Sequence, residues 1–324
     1  MLIRNIFTAV LPALMLAGPP LACAQSYPSR SITVIVPFPP GASSDTLMRI
    51  VGQKFSESAG QQLVIENRPG GGGATGAVVA KQATPDGYVL MQINLGSHAA
   101  NTVLADKLPY DPVKDFLPIT LLWVFPSVLT VPAASPARSV AELVALAKNK
   151  PGGISYASQG VGSGGHILGA MLKSTTGAPM IHIPYKGSAQ AIIDVVGGRV
   201  DLLFAAYASV ISQAKEGRVR LLATTASSRL AALPDLPTMA EAGFRGVDLD
   251  TWFGMAAPAG TPDAVIQKLH AELVKAVRNP QVVAKMAELG IQPLTSSPPE
   301  FAAMIQTDIA RLGKLVKELG AKGD

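Results

Sequence analysis

Between residues 31 and 225, short apolar runs rich in β-branched residues alternate with stretches whose apolar side chains recur at helical spacing. SITVIVPF (31–38) reads as a buried strand. Residues 45–58 read as a helix, with Leu47, Ile50, Val51 and Phe55 on one face. Residues 63–66 and 88–93 read as strands, with a helix over 75–81 between them. The rhythm resumes with strands at 154–158, 180–185, 200–206 and 219–225 and helices at 164–176, 188–197 and 208–216. Strands that alternate with helices pair in parallel under two helical layers, so the fold class is α/β.

The tail behaves differently. A strand over 252–257 precedes three helices at 262–278, 280–289 and 298–319, with Pro262 after Thr261 and Pro298-Pro299 standing as helix starts. A strand and helices that follow a complete second α/β unit imply that the chain returns to the first. Domain 1 is therefore expected over 25–122 plus 252–324 and domain 2 over 123–251, joined by crossover strands near 119–131 and 247–256. Ligands of open α/β sheets sit beyond the carboxyl ends of the strands, which places the expected site in the cleft between domains.

Arg4 is the sole charge among residues 1–26; it precedes an apolar run over 6–16, then Gly18-Pro19-Pro20 and Ala22-Cys23-Ala24. A basic start, a short apolar segment and small residues spaced for cleavage read as a secretory signal peptide over 1–24, which predicts a periplasmic protein. The run is too short for a bilayer, which takes roughly 20 apolar residues. Pro20 stands where a lipoprotein signal usually carries leucine, so removal of Cys23 is preferred to its lipidation. The remainder then has no cysteine for a disulfide, a thiolate nucleophile or a zinc-thiolate site. With 48% hydrophobic and 15% charged residues the chain is globular. A net charge of +5, one unit of it from Arg4, favours anionic ligands mildly. Basic residues are scattered without interleaved aromatics, so no nucleic-acid partner is expected, and a monomer is.

Three glycine- and serine-rich loops each follow a strand and open a helix: PFPPGASSDT (37–46), Gly96-Ser97-His98, and SQGVGSGGH (158–166). A helix start leaves backbone N–H groups unpaired and carries partial positive charge, so it attracts an anion. Glycine lets the backbone approach closely, and serine adds a hydroxyl. Taken singly, each loop is better explained by helix capping, and Asp45 is read that way outright. Three together indicate a binding cleft. The pattern G-x-G-x-x-G occurs twice, at Gly71-Gly73-Gly76 and Gly160-Gly162-Gly165, but neither following strand ends in the carboxylate that a dinucleotide ribose needs. No P-loop and no G-x-S-x-G elbow is present. His98, His166, His182 and His270 lack zinc-site spacing; His182 and His270 read as structural. No catalytic set, metal or cofactor is expected.

In order along the chain, YPS (27–29), ITVIVPF (32–38), ENRPGGGGATG (66–76), PDGYVL (85–90), LPYDPVKDF (108–116), HIPYKGSAQA (182–191), GGRVDLLF (197–204), LPDLPTMAEAG (233–243) and WFGMAAPAGTP (252–262) resemble the Bug family of solute receptors, the binding proteins of tripartite tricarboxylate transporters. The resemblance implies a type II periplasmic binding protein fold with two crossover strands, and a carboxylate held between the domains. By position it assigns ligand contact to Phe38, Gly41, Ala42, Ser43 and Ser44 in the first loop, and to Ser158, Gly160, Gly162, Ser163 and His166 in the second domain. Ser97 and His98 match the intermediate loop, and Asp201 an acidic position that holds structure. Two departures stand out. Pro39-Pro40-Gly41 replaces the family's Ala-Gly-Gly, and Ala205-Ala206-Tyr207 stands where Asp-Asn is frequent. Ala205 and Tyr207 therefore join the candidate site, and the exchange of a polar for an aromatic contact favours an aromatic or apolar carboxylate. The implied partners are a small organic acid and the membrane permease subunits of such a transporter. A sensory adaptor built on the same fold is the alternative, and an exported enzyme the third.

Overall fold

The computed structural model describes residues 27–319 apart from 105–106, 161–162, 186 and 231; the expected signal peptide, Cys23 and Gly162 lie outside the described residues. In the first lobe β1 (Ile32–Val36), α1 (Ser43–Ala59), β2 (Leu63–Asn67), α2 (Ala74–Lys81) and β3 (Val89–Asn94) form a parallel βαβαβ unit with β1 between β2 and β3. β1 takes the middle because its apolar run is buried on both faces, with Ile32, Val34, Ile35 and Val36 all closed to solvent. α1 lays Leu47, Met48, Val51 and Phe55 on that sheet. It ends at Gly60, whose φ of 73° lets its amide reach back to the Ser56 carbonyl. A single wide turn over Gly96–Ala100 and α3 (Asn101–Leu104) lead to β4 (Phe116–Phe125).

The second lobe follows as β5 (Ser127–Pro132), α4 (Val140–Asn149), β6 (Ile154–Ser158), α5 (Gly164–Thr176), β7 (Met180–Pro184), α6 (Ser188–Val196), β8 (Leu202–Ala206), α7 (Tyr207–Lys215) and β9 (Val219–Thr224). The chain then returns through β10 (Thr251–Pro258), α8 (Asp263–Val277), α9 (Pro280–Glu288), β11 (Gln292–Pro293) and α10 (Pro298–Leu319). The sheet orders are β11-β4-β10-β3-β1-β2 and β7-β6-β8-β5-β9. The parallel sheets expected from the alternating pattern are thus mixed sheets. β10 enters the first sheet from the other lobe and runs antiparallel to β3 and β4; β5 does the same beside β8 and β9. Residues 247–250, expected within a crossover strand, carry no strand, and α4 was not anticipated.

Two stretches join the lobes: Pro126 between β4 and β5, and residues 225–250 on the return. They are bonded to each other. The Ser127 amide donates to Thr225 Oγ1 at 2.9 Å, the Thr225 amide donates to the Ser127 carbonyl at 2.8 Å, and Thr225 Oγ1 donates to Asp250 at 3.3 Å. α10 clamps the return path. Asp308 accepts from Trp252 Nε1 at 2.7 Å, and Arg311 donates to the carbonyls of Gly246 and Asp248 at 3.1 and 3.2 Å. Phe301, also on α10 and fully buried, lies on Gly254 of β10, where a Cβ would overlap its ring and stand 2.8 Å from the Thr120 carbonyl.

Burial, reinforced by the charges of Asp248 and Asp308, pushes the Asp250 carboxyl from 3.8 up to about 6. Its neutral form therefore folds better: the stability it contributes is complete below the unfolded value and is lost as pH rises through about 6. Asp250→Asn is expected to match the parent near about pH 4 and to be about 1–3 kcal/mol more stable near about pH 7.5 in urea titrations; an equal or lower midpoint at the higher pH would refute this reading of the joint. Gly254→Ala is expected to lower stability by about 1–3 kcal/mol through overpacking against Phe301, and an unchanged denaturation midpoint would count against that packing.

Candidate functional site

Three helix starts converge where the lobes meet. α1 begins at Ser43 after Ala42, α5 at Gly164 after its N-cap Ser163, and α6 at Ser188 after Gly187. The first amides of a helix have no carbonyl one turn back to bond, so each start offers N–H groups and partial positive charge. Between them lies a cleft of about 370 Å³. The first lobe contributes Phe38, Ala42, Ser43, Ser44 and Phe253; the second contributes Gln159, Ser163, Gly164, Gly165, Ser188 and the strand end Phe204–Ala206. Phe125, Ser127 and Thr251 line it from the joint. Among the described lining residues there is no Asp, Glu, Lys, Arg or His. A larger, shallow groove of about 590 Å³ lies on the first lobe beside Lys81, Tyr110 and Asp115. The Lys81 ammonium there is already held by the Pro109 carbonyl at 2.6 Å and Asp115 at 3.3 Å.

The two glycines that open α5 are required by close approach. A Cβ at Gly164 would stand 2.9 Å from Thr251 Oγ1 in the other lobe, and one at Gly165 would stand 2.7 Å from the Phe204 carbonyl. In the first loop Gly41 has φ 81°, and its amide donates to Asp45 at 2.9 Å. Burial pushes the Asp45 carboxyl up, but hydrogen bonds from Arg49, Asn67 and the Gly41 amide outweigh it and hold the group below its ordinary value. Asn67 also donates to the Phe38 carbonyl at 3.0 Å, so Asp45 and Asn67 together fix the loop that presents Ser43 and Ser44.

Of the residues expected at the site, Phe38, Ala42, Ser43, Ser44, Ser163 and Ala205 line the cleft. Gly41, Ser158 and Gly160 shape its loops instead. Ser158 is fully buried; its Oγ lies 2.7 Å from His182 Nε2, donates to the Gly160 carbonyl at 3.0 Å and accepts from the Gly160 amide at 3.1 Å. His166 stacks on His182 with centroids 4.0 Å apart, and His182 stacks on Tyr156 at 4.9 Å, a ladder of rings behind the loop. Burial, then repulsion from His166, pushes the His182 imidazole down to about 4.

Ser97 and His98 correct the expectation of a third ligand loop. Both are fully buried, Ser97 Oγ lies 3.0 Å from His98 Nδ1, and His98 meets Phe116 edge-on at 4.9 Å. Burial pushes His98 down to about 3, so it stays neutral in the core of the first lobe. The turn after β3 points inward because its residues pack under α10, which closes over it. Tyr207 is a second correction. Its ring lies on the bare backbone of Gly290 in the first lobe, where a Cβ would collide with it, and does not line the cleft. Asp201 serves structure as expected, accepting from the Ser155 amide at 2.8 Å and from Lys150 at 2.9 Å.

The ring surface of the cleft comes from elsewhere. Phe253 lies 5.1 Å from Phe125 and 5.6 Å from Phe38, and Trp123 stacks behind it at 5.9 Å. Strand alternation was the available signal: Trp252 turns to α10 while Thr251 and Phe253 turn to the cleft. Gln159, whose Nε2 donates to the Phe204 carbonyl at 3.0 Å, lies within the SQGVGSGGH loop but was not singled out there. Among the described residues no cluster of His, Cys, Asp or Glu could hold a metal, and no helix is long and apolar enough to cross a membrane.

Comparison with known proteins agrees with this architecture. The model of the tripartite tricarboxylate transporter family receptor matches residues 47–321. The periplasmic binding protein BugD is 31% identical, with a TM-score of 0.76 over 92% of this chain and 100% of that one. Rpa4515 of R. palustris, solved with adipate, is 33% identical with a TM-score of 0.80 over 92% and 100%. MatC from Rhodopseudomonas palustris, with bound malate, is 31% identical with a TM-score of 0.75 over 90% and 100%. The chain belongs to the tripartite tricarboxylate transporter receptor family, whose members are solute-binding proteins and not enzymes.

Proposed function

We propose that this chain is a periplasmic receptor that closes its two lobes on a small organic carboxylate and delivers it to the membrane permease subunits of a tripartite tricarboxylate-type transporter. The observation that carries the reading is the convergence of the α1, α5 and α6 starts, from both lobes, on a cleft whose described lining bears no charged side chain. A carboxylate suits such a site: backbone N–H groups and serine hydroxyls meet its charge without a cation. The adipate and malate held by two structural neighbours support the same ligand class.

In this reading residues 1–24 are removed on export, and the chain acts as a monomer. The moving units are the lobes on either side of Pro126 and of the return at 225–250. Ser43, Ser44 and the Gly164–Gly165 amides meet the carboxylate, Ser163 caps α5 with its hydroxyl donated to the Gly160 carbonyl at 2.7 Å, and Phe38 and Ala205 face the carbon skeleton. Gly41, Ser158, Gly160 and His166 hold the loops in place. Micromolar capture corresponds to about −8 kcal/mol, within reach of several charge-assisted hydrogen bonds of about 1.5–3 kcal/mol each after ordering costs.

Isothermal titration with a panel of mono- and dicarboxylates is expected to show saturable one-to-one binding, and Ser43→Ala to weaken it by about three- to tenfold. A panel without a binder, or a Ser43→Ala protein of unchanged affinity, would contradict the assigned cleft. Delivery is tested by uptake of the bound acid in cells carrying the permease. Deletion of this chain is expected to abolish uptake at low external concentration, and unaltered uptake would refute the transport role.

A further inference from the structure

Hydroxyls line the cleft from both lobes and from the joint, with Ser43 and Ser44 on α1, Ser188 on α6, and Ser127 and Thr251 where the lobes connect. Beside them stands an apolar wall of Phe38, Phe125 and Phe253, with Ala205 and Ala206 at the end of β8. Phe253 is the centre of that wall, with Phe125 edge-on to it at an interplanar angle of 68° and Phe38 tilted at 47°. The rings are held from behind by Trp123, which is fully buried. An added aromatic ring interacts favourably with such rings in tilted or edge-on arrangements at centroid separations of about 4.5–7 Å.

A second carboxylate on a guest would have to reach the α6 start or the joint hydroxyls and leave the rings, because one placed against the rings would be a buried charge without a partner. The cleft, at about 370 Å³, also lies near the small end of ligand pockets and suits a compact, flat guest.

We propose that the cleft selects a flat aromatic monocarboxylate over an aliphatic dicarboxylate, with Phe38, Phe125 and Phe253 receiving the ring and the starts of α1 and α5 the carboxylate. This selectivity rests on the carboxylate-receptor reading above and narrows it.

The test titrates the protein with benzoate, adipate and benzamide, the last having the ring without the charge. Benzoate is expected to bind at least about tenfold more tightly than either of the others. Phe38→Ala is the informative variant, because Phe38 is a half-buried loop residue outside the main core. It is expected to lose about tenfold for benzoate, roughly the worth of one ring contact, and clearly less for adipate, which has no ring to stack there. Tighter binding of adipate than benzoate, or an equal loss for both acids in Phe38→Ala, would overturn the aromatic selectivity and leave the receptor reading standing. Benzamide binding as tightly as benzoate would overturn the carboxylate reading itself. Binding of none of the three would overturn both.

Discussion

The two connections between the lobes are bonded to each other at Ser127 and Thr225, and the rest of the molecule is arranged around that joint. Backbone and hydroxyl bonds between these residues turn two separate chain crossings into one narrow bridge. On its first-lobe side, β4 and β10 lie side by side in the sheet and α10 packs against β4, with Trp252 bonded to Asp308. On its second-lobe side, β5 lies between β8 and β9. Each lobe therefore carries the bridge on interior strands of its own sheet. Residues of the bridge, Phe125, Ser127 and Thr251, also line the cleft, so a guest touches both lobes and the joint between them at once.

The cleft draws its polarity from the backbone. The carboxylate beside its first loop is engaged elsewhere: Asp45 ties down that loop with Gly41, Arg49 and Asn67. The imidazoles of His98 and His182 are held neutral by burial, the first within a core and the second in a ring ladder. What remains at the surface of the cleft is hydroxyl, amide, ring and methyl.

The α/β rhythm was legible because buried strands carry unbroken apolar runs and the covering helices keep a polar face, as β1 and α1 do. α4 was passed over although Ser139 caps it, its hydroxyl accepting from the Glu142 amide while the Glu142 carboxylate accepts from the Arg138 amide. The mixed pairing of β5 and β10 was not legible, since strand direction depends on where the chain enters a sheet and not on local composition. At the site, the glycine-serine loops marked two helix starts, which local spacing encodes. Ser97 and His98 bear the same local signature yet lie in a core, because only packing decides whether a turn faces inward. Tyr207 was misplaced for a related reason: the end of β8 reaches the cleft, but the ring one residue later swings onto Gly290. The phenylalanine wall comes from a loop and two strands distant in sequence, so it exists as a surface only after folding.

A cleft polarised by fixed peptide dipoles has a consequence for the medium in which it works. Side-chain charges attract an anion over the Debye length, about 8–10 Å at moderate ionic strength, and lose that reach as salt rises. Peptide dipoles at a helix start act within the first turn and are shielded by the lobes once they close. If the cleft closes on a carboxylate as proposed, the closed complex depends little on salt, while the net charge of +5 leaves the rate of encounter open to screening.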